Sequence, residues 1–200
     1  MSEAIKIILR EHGSIGSVLH GLLFIVKDVR ERGLAPDFAL LRAMVHYIDA
    51  FPERLHHPKE DRYLFPRLRA RTHDADETLA RLEEQHARGA TLTRGMEAAI
   101  ERYEKESPAG FEAFAELVER YTKFYWQHMR EEEELVLPVA ERVLTAADWK
   151  EIDSAFAGNE DPLADGELKR DFRALFHKIT MLAPAPIGLG SRETSGRQSN

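Results

Sequence analysis

The chain of 200 residues contains no cysteine. That excludes disulfides, iron–sulfur clusters and thiolate metal sites from its chemistry. A Lys/Arg-rich run is also missing, and the formal net charge is −7. This balance argues against nucleic acid or an anionic membrane surface as the partner. There is no long hydrophobic run either. The apolar stretch 18–26 is broken by His20 and Gly21 and is far too short to span a bilayer. The first residues lack the basic, apolar and small-residue order of a signal peptide, so a cytoplasmic protein is the expectation. Strand-like alternation is absent as well.

What is present is an ordinary globular mix, 43% hydrophobic and 32% charged, in about one domain's length of chain. Apolar residues recur at helical spacing almost throughout. A first helix, 3–31, carries Ile5, Ile8, Leu9, Ile15, Leu19, Leu22, Leu23 and Val26 on one stripe and is closed by Gly33 and Pro36. Asp37 caps a second helix, which runs to residue 71 through Phe38, Leu41, Val45 and Ile48. A third covers 75–106. Ser107 as N-cap and Pro108 as first helical residue open a fourth that ends near 143.

Thr145 caps a shorter helix over Ala146–Ala157, and another is expected over 165–182. The tail 183–200 is Pro, Gly, Ser and polar residues without periodicity and reads as disordered. The expected architecture is all-α: an antiparallel up-down four-helix bundle over 1–145, with extra C-terminal helices over 146–182 packed on it.

Polar residues interrupt the apolar stripes. The first helix places His12 in the stripe 5, 8, 9, 12, 15, 19, and the third places His86 in 79, 82, 86, 93, 96. The second puts His56 and Glu60 in 41, 45, 48, 56, 60, 63. The fourth puts His128 and Glu132 in 114, 118, 121, 125, 128, 132, 135. One inward histidine reads as a neutral imidazole bonded to a carbonyl. Four of them, one per helix and joined by two inward carboxylates, do not. A buried carboxylate costs several kcal/mol unless it is paired or metal-bound, and no inward Lys or Arg falls at these levels. A metal cation satisfies all six.

The second and fourth helices also repeat one another. Residues 56–66 read HHPKEDRYLFP and residues 128–138 read HMREEEELVLP, each with His, Glu four residues on, and Pro six beyond. His and Glu at that spacing share one helix face. His12 lies 44 residues before His56, and His86 lies 42 before His128. The pattern is two helix pairs related by a pseudo-twofold, each giving two His and one Glu. Imidazole and carboxylate without sulfur suit iron, manganese or zinc.

These segments, with His12 in LREHGSI and His86 in LEEQHARG, resemble the hemerythrin-like (HHE cation-binding) family over residues 5–140. The resemblance implies a non-haem centre of two iron ions with an oxo or hydroxo bridge. His12 and His56 would hold one ion, His86 and His128 the other, and Glu60 and Glu132 would bridge. Oxygen-carrying hemerythrins have a further histidine a turn before the His86 position, where this chain has Leu82. The second half-site is therefore expected to be the more open one. The family's range implies binding or sensing of dioxygen or nitric oxide, a redox enzyme that breaks down peroxide, or iron storage and delivery. A metal-free interaction module is the remaining alternative, and neither oligomeric state nor signalling partner is specified.

Some neighbours have competing readings. His57 points about 100° from His56 on an α-helix; it is a seventh ligand, an outer donor or exposed. Glu133 can replace Glu132, although the repeat favours Glu132. Pro58 should kink the second helix. Tyr47, Phe51, Tyr63, Phe124, Tyr125 and Trp126 read as core, with one tyrosine available as a hydrogen-bond donor at the centre. His20, His46, His73 and His177 have no repeat partner and read as structural or surface residues. Glu53-x-x-His56 and Glu83-x-x-His86 also fit ferritin-like di-iron spacing, but that scheme leaves His12 and His128 unexplained.

Overall fold

The computed structural model describes residues 1–158. Among them the chain is all-helical, with no strand. Helix α1 (Glu3–Arg32) starts where the Ser2 hydroxyl accepts from the Ile5 N–H and stops at Gly33, whose φ is 64°. Helix α2 (38–69) begins at Asp37, whose carboxylate accepts from the Leu40 N–H at 2.9 Å. Helices α3 (Asp76–Glu106), α4 (111–143) and α5 (Ala146–Ala157) follow. The expected helix over 165–182 and the tail 183–200 lie outside the described residues.

The start of α4 differs from the expectation. Ser107 and Pro108 do not cap it; α4 begins at Phe111, with 107–110 forming the reversal after α3. The Phe111 N–H donates to the Pro108 carbonyl, and Ala109 donates to Glu106. Two long helices that pack directly on each other need this tight turn. Gly110 permits it, since a Cβ there would fall 2.5 Å from the Tyr103 Cα.

Neither α2 nor α4 is a plain α-helix. In α2, π-helical turns cover Asp49–His56 and Glu60–Leu64; in α4 one covers Glu132–Val136. The N–H of Phe65 reaches the Glu60 carbonyl and that of Leu137 reaches Glu132, each five residues back. Each of the three π turns ends two residues before a proline, Pro58, Pro66 or Pro138. Proline has no N–H, and its ring crowds the carbonyl four residues back; a widened turn relieves both problems.

The consequence is a shift of one position. Tyr63 and Leu135 leave the inward stripe, and Leu64 and Val136 replace them. Trp126, read as core, is exposed.

Packing joins α1 to α2 and α4, and α3 to α2 and α4, an arrangement compatible with a four-helix bundle. Two apolar clusters result. One gathers Ile15–Val26 side chains of α1 with Leu41, Phe51, Met96, Tyr103, Phe114 and Tyr121. The other gathers Ile5, Ile8, Leu64, Phe65, Leu82, Val136 and α5's Ile152 and Phe156. Each long helix passes from one cluster to the other, and its polar intruders fall at the crossing.

Helix α5 is tied on by Asp148. Its carboxylate takes Arg71 at 2.8 and 3.0 Å and completes a capping box with Thr145. The Arg71 guanidinium holds the Asp148 carboxyl well below the usual range. Asp148→Ala is expected to cost about 1–2 kcal/mol in urea unfolding, the size of a lost cap; no measurable loss would contradict this anchoring role.

Candidate metal centre

The layer between the two apolar clusters holds two groups of potential metal donors. His12, His56, Glu60 and Glu132 form one; His57, Glu60, His86 and His128 form the other. Within each group the donor atoms lie within 4.8 Å of one another, and every member is buried. All six residues expected from the sequence are brought together here. Glu60 is common to both groups, whereas Glu132 stands in the His12/His56 group.

His57 enters the second group because the π turn ahead of it changes the register. It and His56 are both buried but turn to different groups, His56 to the first and His57 to the second. It supplies a third imidazole to the half-site where Leu82 leaves none, so that half-site is not the poorer in donors. Its Nε2 meets the Tyr125 hydroxyl at 2.7 Å, and its ring stacks on His86 with centroids 4.1 Å apart.

The four other histidines share one arrangement. Nδ1 of His12 faces Glu133 at 2.8 Å, and Nδ1 of His56 faces Glu11 at 2.7 Å. Nδ1 of His86 faces Asp61 at 2.8 Å, and that of His128 faces the Gln85 side-chain oxygen at 2.9 Å. An acceptor opposite Nδ1 places the ring proton there and leaves Nε2 with its lone pair. Those lone pairs converge. The Nε2 atoms of His12 and His56 are 3.2 Å apart. Nε2 of His86 and of His128, and both carboxylate oxygens of Glu60 and of Glu132, are buried without a hydrogen-bond partner. His56 Nε2 approaches Glu60 Oε1 to 2.9 Å, a contact without hydrogen-bond alignment.

So dense a set of orphaned acceptors is costly without a cation, and among the described residues no Lys or Arg is buried. Bonds of about 2.1 Å to an ion would draw each group in by only tenths of an ångström. The donor set fits metal.

The charge state carries the same strain. Burial pushes the Glu60 carboxyl up to about 7, with the neighbouring Glu132 charge adding to it. Burial disfavours charge on His12, yet the carboxylates of Glu132 and Glu133 beside its ring outweigh it and lift the ring to about 9. His57 and His128 go the other way, held well below the usual imidazole range by burial and then by His86.

A family profile described as the hemerythrin HHE cation binding domain matches residues 3–140. The chain belongs to that family. A search of curated proteins finds no match for this hemerythrin-domain chain.

Apart from His57, the neighbours that competed with the site fall outside it. Glu133 is an outer partner of His12 and not a member of either group. Glu83 pairs with Arg69 at 2.6 and 2.9 Å, and Glu53 joins neither group, which removes the ferritin-like reading. His20, His46 and His73 are exposed, and His177 lies outside the described residues. Sequence reasoning missed Glu11, Asp61 and Gln85. Their signal was adjacency: each sits beside a ligand candidate in the chain.

Glu53 has its own cradle. Its Oε1 accepts from the Tyr121 hydroxyl at 2.8 Å, and burial raises its carboxyl to about 7. A Cβ on Gly89 would lie 2.8 Å from that same oxygen. Gly95, on the same helix, has open space. Gly95→Ala should therefore gain up to about 1 kcal/mol from helix propensity. Gly89→Ala should lose about 1–2 kcal/mol through overpacking. Equal gains at both in thermal melting would mean that Glu53 yields freely.

Proposed function

We propose that this hemerythrin-domain protein is a non-haem di-iron protein that binds or senses dioxygen or nitric oxide. In this reading residues 1–145 are an antiparallel up-down bundle, with 146–182 added to it, in a cytoplasmic protein. His12, His56, Glu60, His86, His128 and Glu132 are ligands, and His57 joins them.

One observation carries the reading: two four-residue donor groups share Glu60, and their unpartnered atoms face a common space. Bound iron would supply reversible electron exchange with a small ligand. The residues do the rest. Glu133, Glu11, Asp61 and Gln85 hold the four imidazoles with Nε2 inward. Phe51 and Phe65 wall the layer with apolar rings near His56 and His86. Burial of the donors favours a diatomic molecule over a larger or charged one.

Adding dioxygen, and separately nitric oxide, to the reduced protein while recording absorption spectra tests this. A stable, reversible adduct with either gas supports binding or sensing. Oxidation without an adduct, or gas evolution from peroxide, would favour the redox-enzyme alternative; iron released as cargo would favour storage or delivery.

A further inference from the structure

The histidine partners follow the same twofold as the ligands. Glu133, which follows Glu132, holds His12; Asp61, which follows Glu60, holds His86. Glu11, which precedes His12, holds His56; Gln85, which precedes His86, holds His128. Three of these outer partners are carboxylates and one is an amide. The twofold breaks again at His57, whose counterpart one residue after His128 is Met129.

The two breaks differ in kind: His57 adds a neutral imidazole to the second group, and Gln85 takes a carboxylate from its outer contacts. The His12/His56 group contains two carboxylates, and both of its imidazoles lean on further carboxylates. The His57/His86/His128 group contains one, shared, carboxylate; its outer carboxylates are Asp61 on His86 and Glu53, whose Oε2 lies 3.4 Å from His57 Nδ1, while His128 has none on its Nδ1. Gln85 and Tyr125 are neutral.

A carboxylate on Nδ1–H pushes electron density toward Nε2 and makes it the better donor, which an amide oxygen does less. Gln85 is also fixed in orientation. Its NH2 donates to Glu131 at 3.3 Å, and Glu131 is held in turn by Arg81 at 3.0 Å and Gln127 at 2.9 Å. The amide oxygen therefore stays on His128.

We propose that Gln85 is a positioning residue that makes the two metal positions unequal. The His12/His56 position loads first and holds its ion, and the His57/His86/His128 position loads second and exchanges. This rests on the two-ion reading above.

Calorimetric titration of the metal-free full chain with zinc(II), which has no redox chemistry to complicate the trace, should show two separate steps. Glu11→Gln should weaken the first step about tenfold and bring the two together. Gln85→Glu combined with Glu131→Gln keeps the hydrogen bond between positions 85 and 131 while placing a carboxylate on His128. That double variant should strengthen the second step about tenfold, a gain that misfolding cannot mimic. With cobalt(II), the successive visible-band changes should show Glu11→Gln altering the first alone. Identical steps in the unsubstituted protein, or variants that move both steps together, would overturn the inequality. Fewer than two ions bound would instead defeat the two-ion reading itself.

Discussion

Glu60→Ala is expected to empty both metal positions, taking metal content from two ions per chain to near none, because Glu60 belongs to both donor groups. Elemental analysis of the purified variant reads this directly. The loss of stability should appear only with metal bound. A tightly held ion contributes about 4 kcal/mol at a thousandfold excess over its dissociation constant, so the loaded protein should lose many degrees of melting temperature. In the metal-free protein the same substitution removes a buried carboxylate with no hydrogen-bond partner. Its desolvation is unfavourable, so the metal-free melting temperature should hold or rise. A variant destabilised equally in both states would mark Glu60 as a packing residue. A variant retaining one ion would show that the groups do not depend on a shared ligand.

His57→Ala should remove one ion and leave the other. Three histidines and Glu60 make up the second group, and His57, like His86 and His128, is not used by the His12/His56 group. Metal content should fall toward one ion per chain, and the remaining ion should still be lost on Glu132→Ala. The Tyr125 hydroxyl loses its 2.7 Å partner, which adds about 1 kcal/mol of destabilisation. If metal content stays unchanged, the six residues legible in the sequence suffice and His57 is an outer group. Exchange of His73, exposed and paired with Asp76, should change neither metal nor melting.

Most of the helical framework was legible in the sequence because amphipathic period and capping chemistry agree locally. Asp37 and Thr145 each accept an N–H where their residue type suggests a cap, whereas Ser107 does not cap α4. The six ligand candidates were legible for a second reason: a polar side chain on an apolar stripe is conspicuous, and the His–Glu–Pro spacing occurs twice. The register after each Glu was not legible. A period of 3.6 residues predicts Tyr63 and Leu135 inward, but the π turns before Pro66 and Pro138 deliver Leu64 and Val136. The same widening ahead of His57 turns it inward. The outer partners were hidden because an acidic residue beside a ligand looks like any solvated charge until the facing helix is placed.

The Pro58 expectation illustrates the same physics. A lone proline inside an α-helix should kink it, yet Pro58 sits in the short α-helical step His57–Lys59 between two π segments. Like Pro66 and Pro138, it is the second residue after a π turn, and the ligand-bearing turn lies between these irregular stretches.

The central claim is that the buried layer between the two apolar clusters holds a pair of iron ions. Iron determination on the full chain, purified after growth with iron, tests it most directly. About two iron per chain, falling to near none in Glu60→Ala, is the predicted result. One iron or none in the unsubstituted protein, or undiminished iron in Glu60→Ala, would contradict the account.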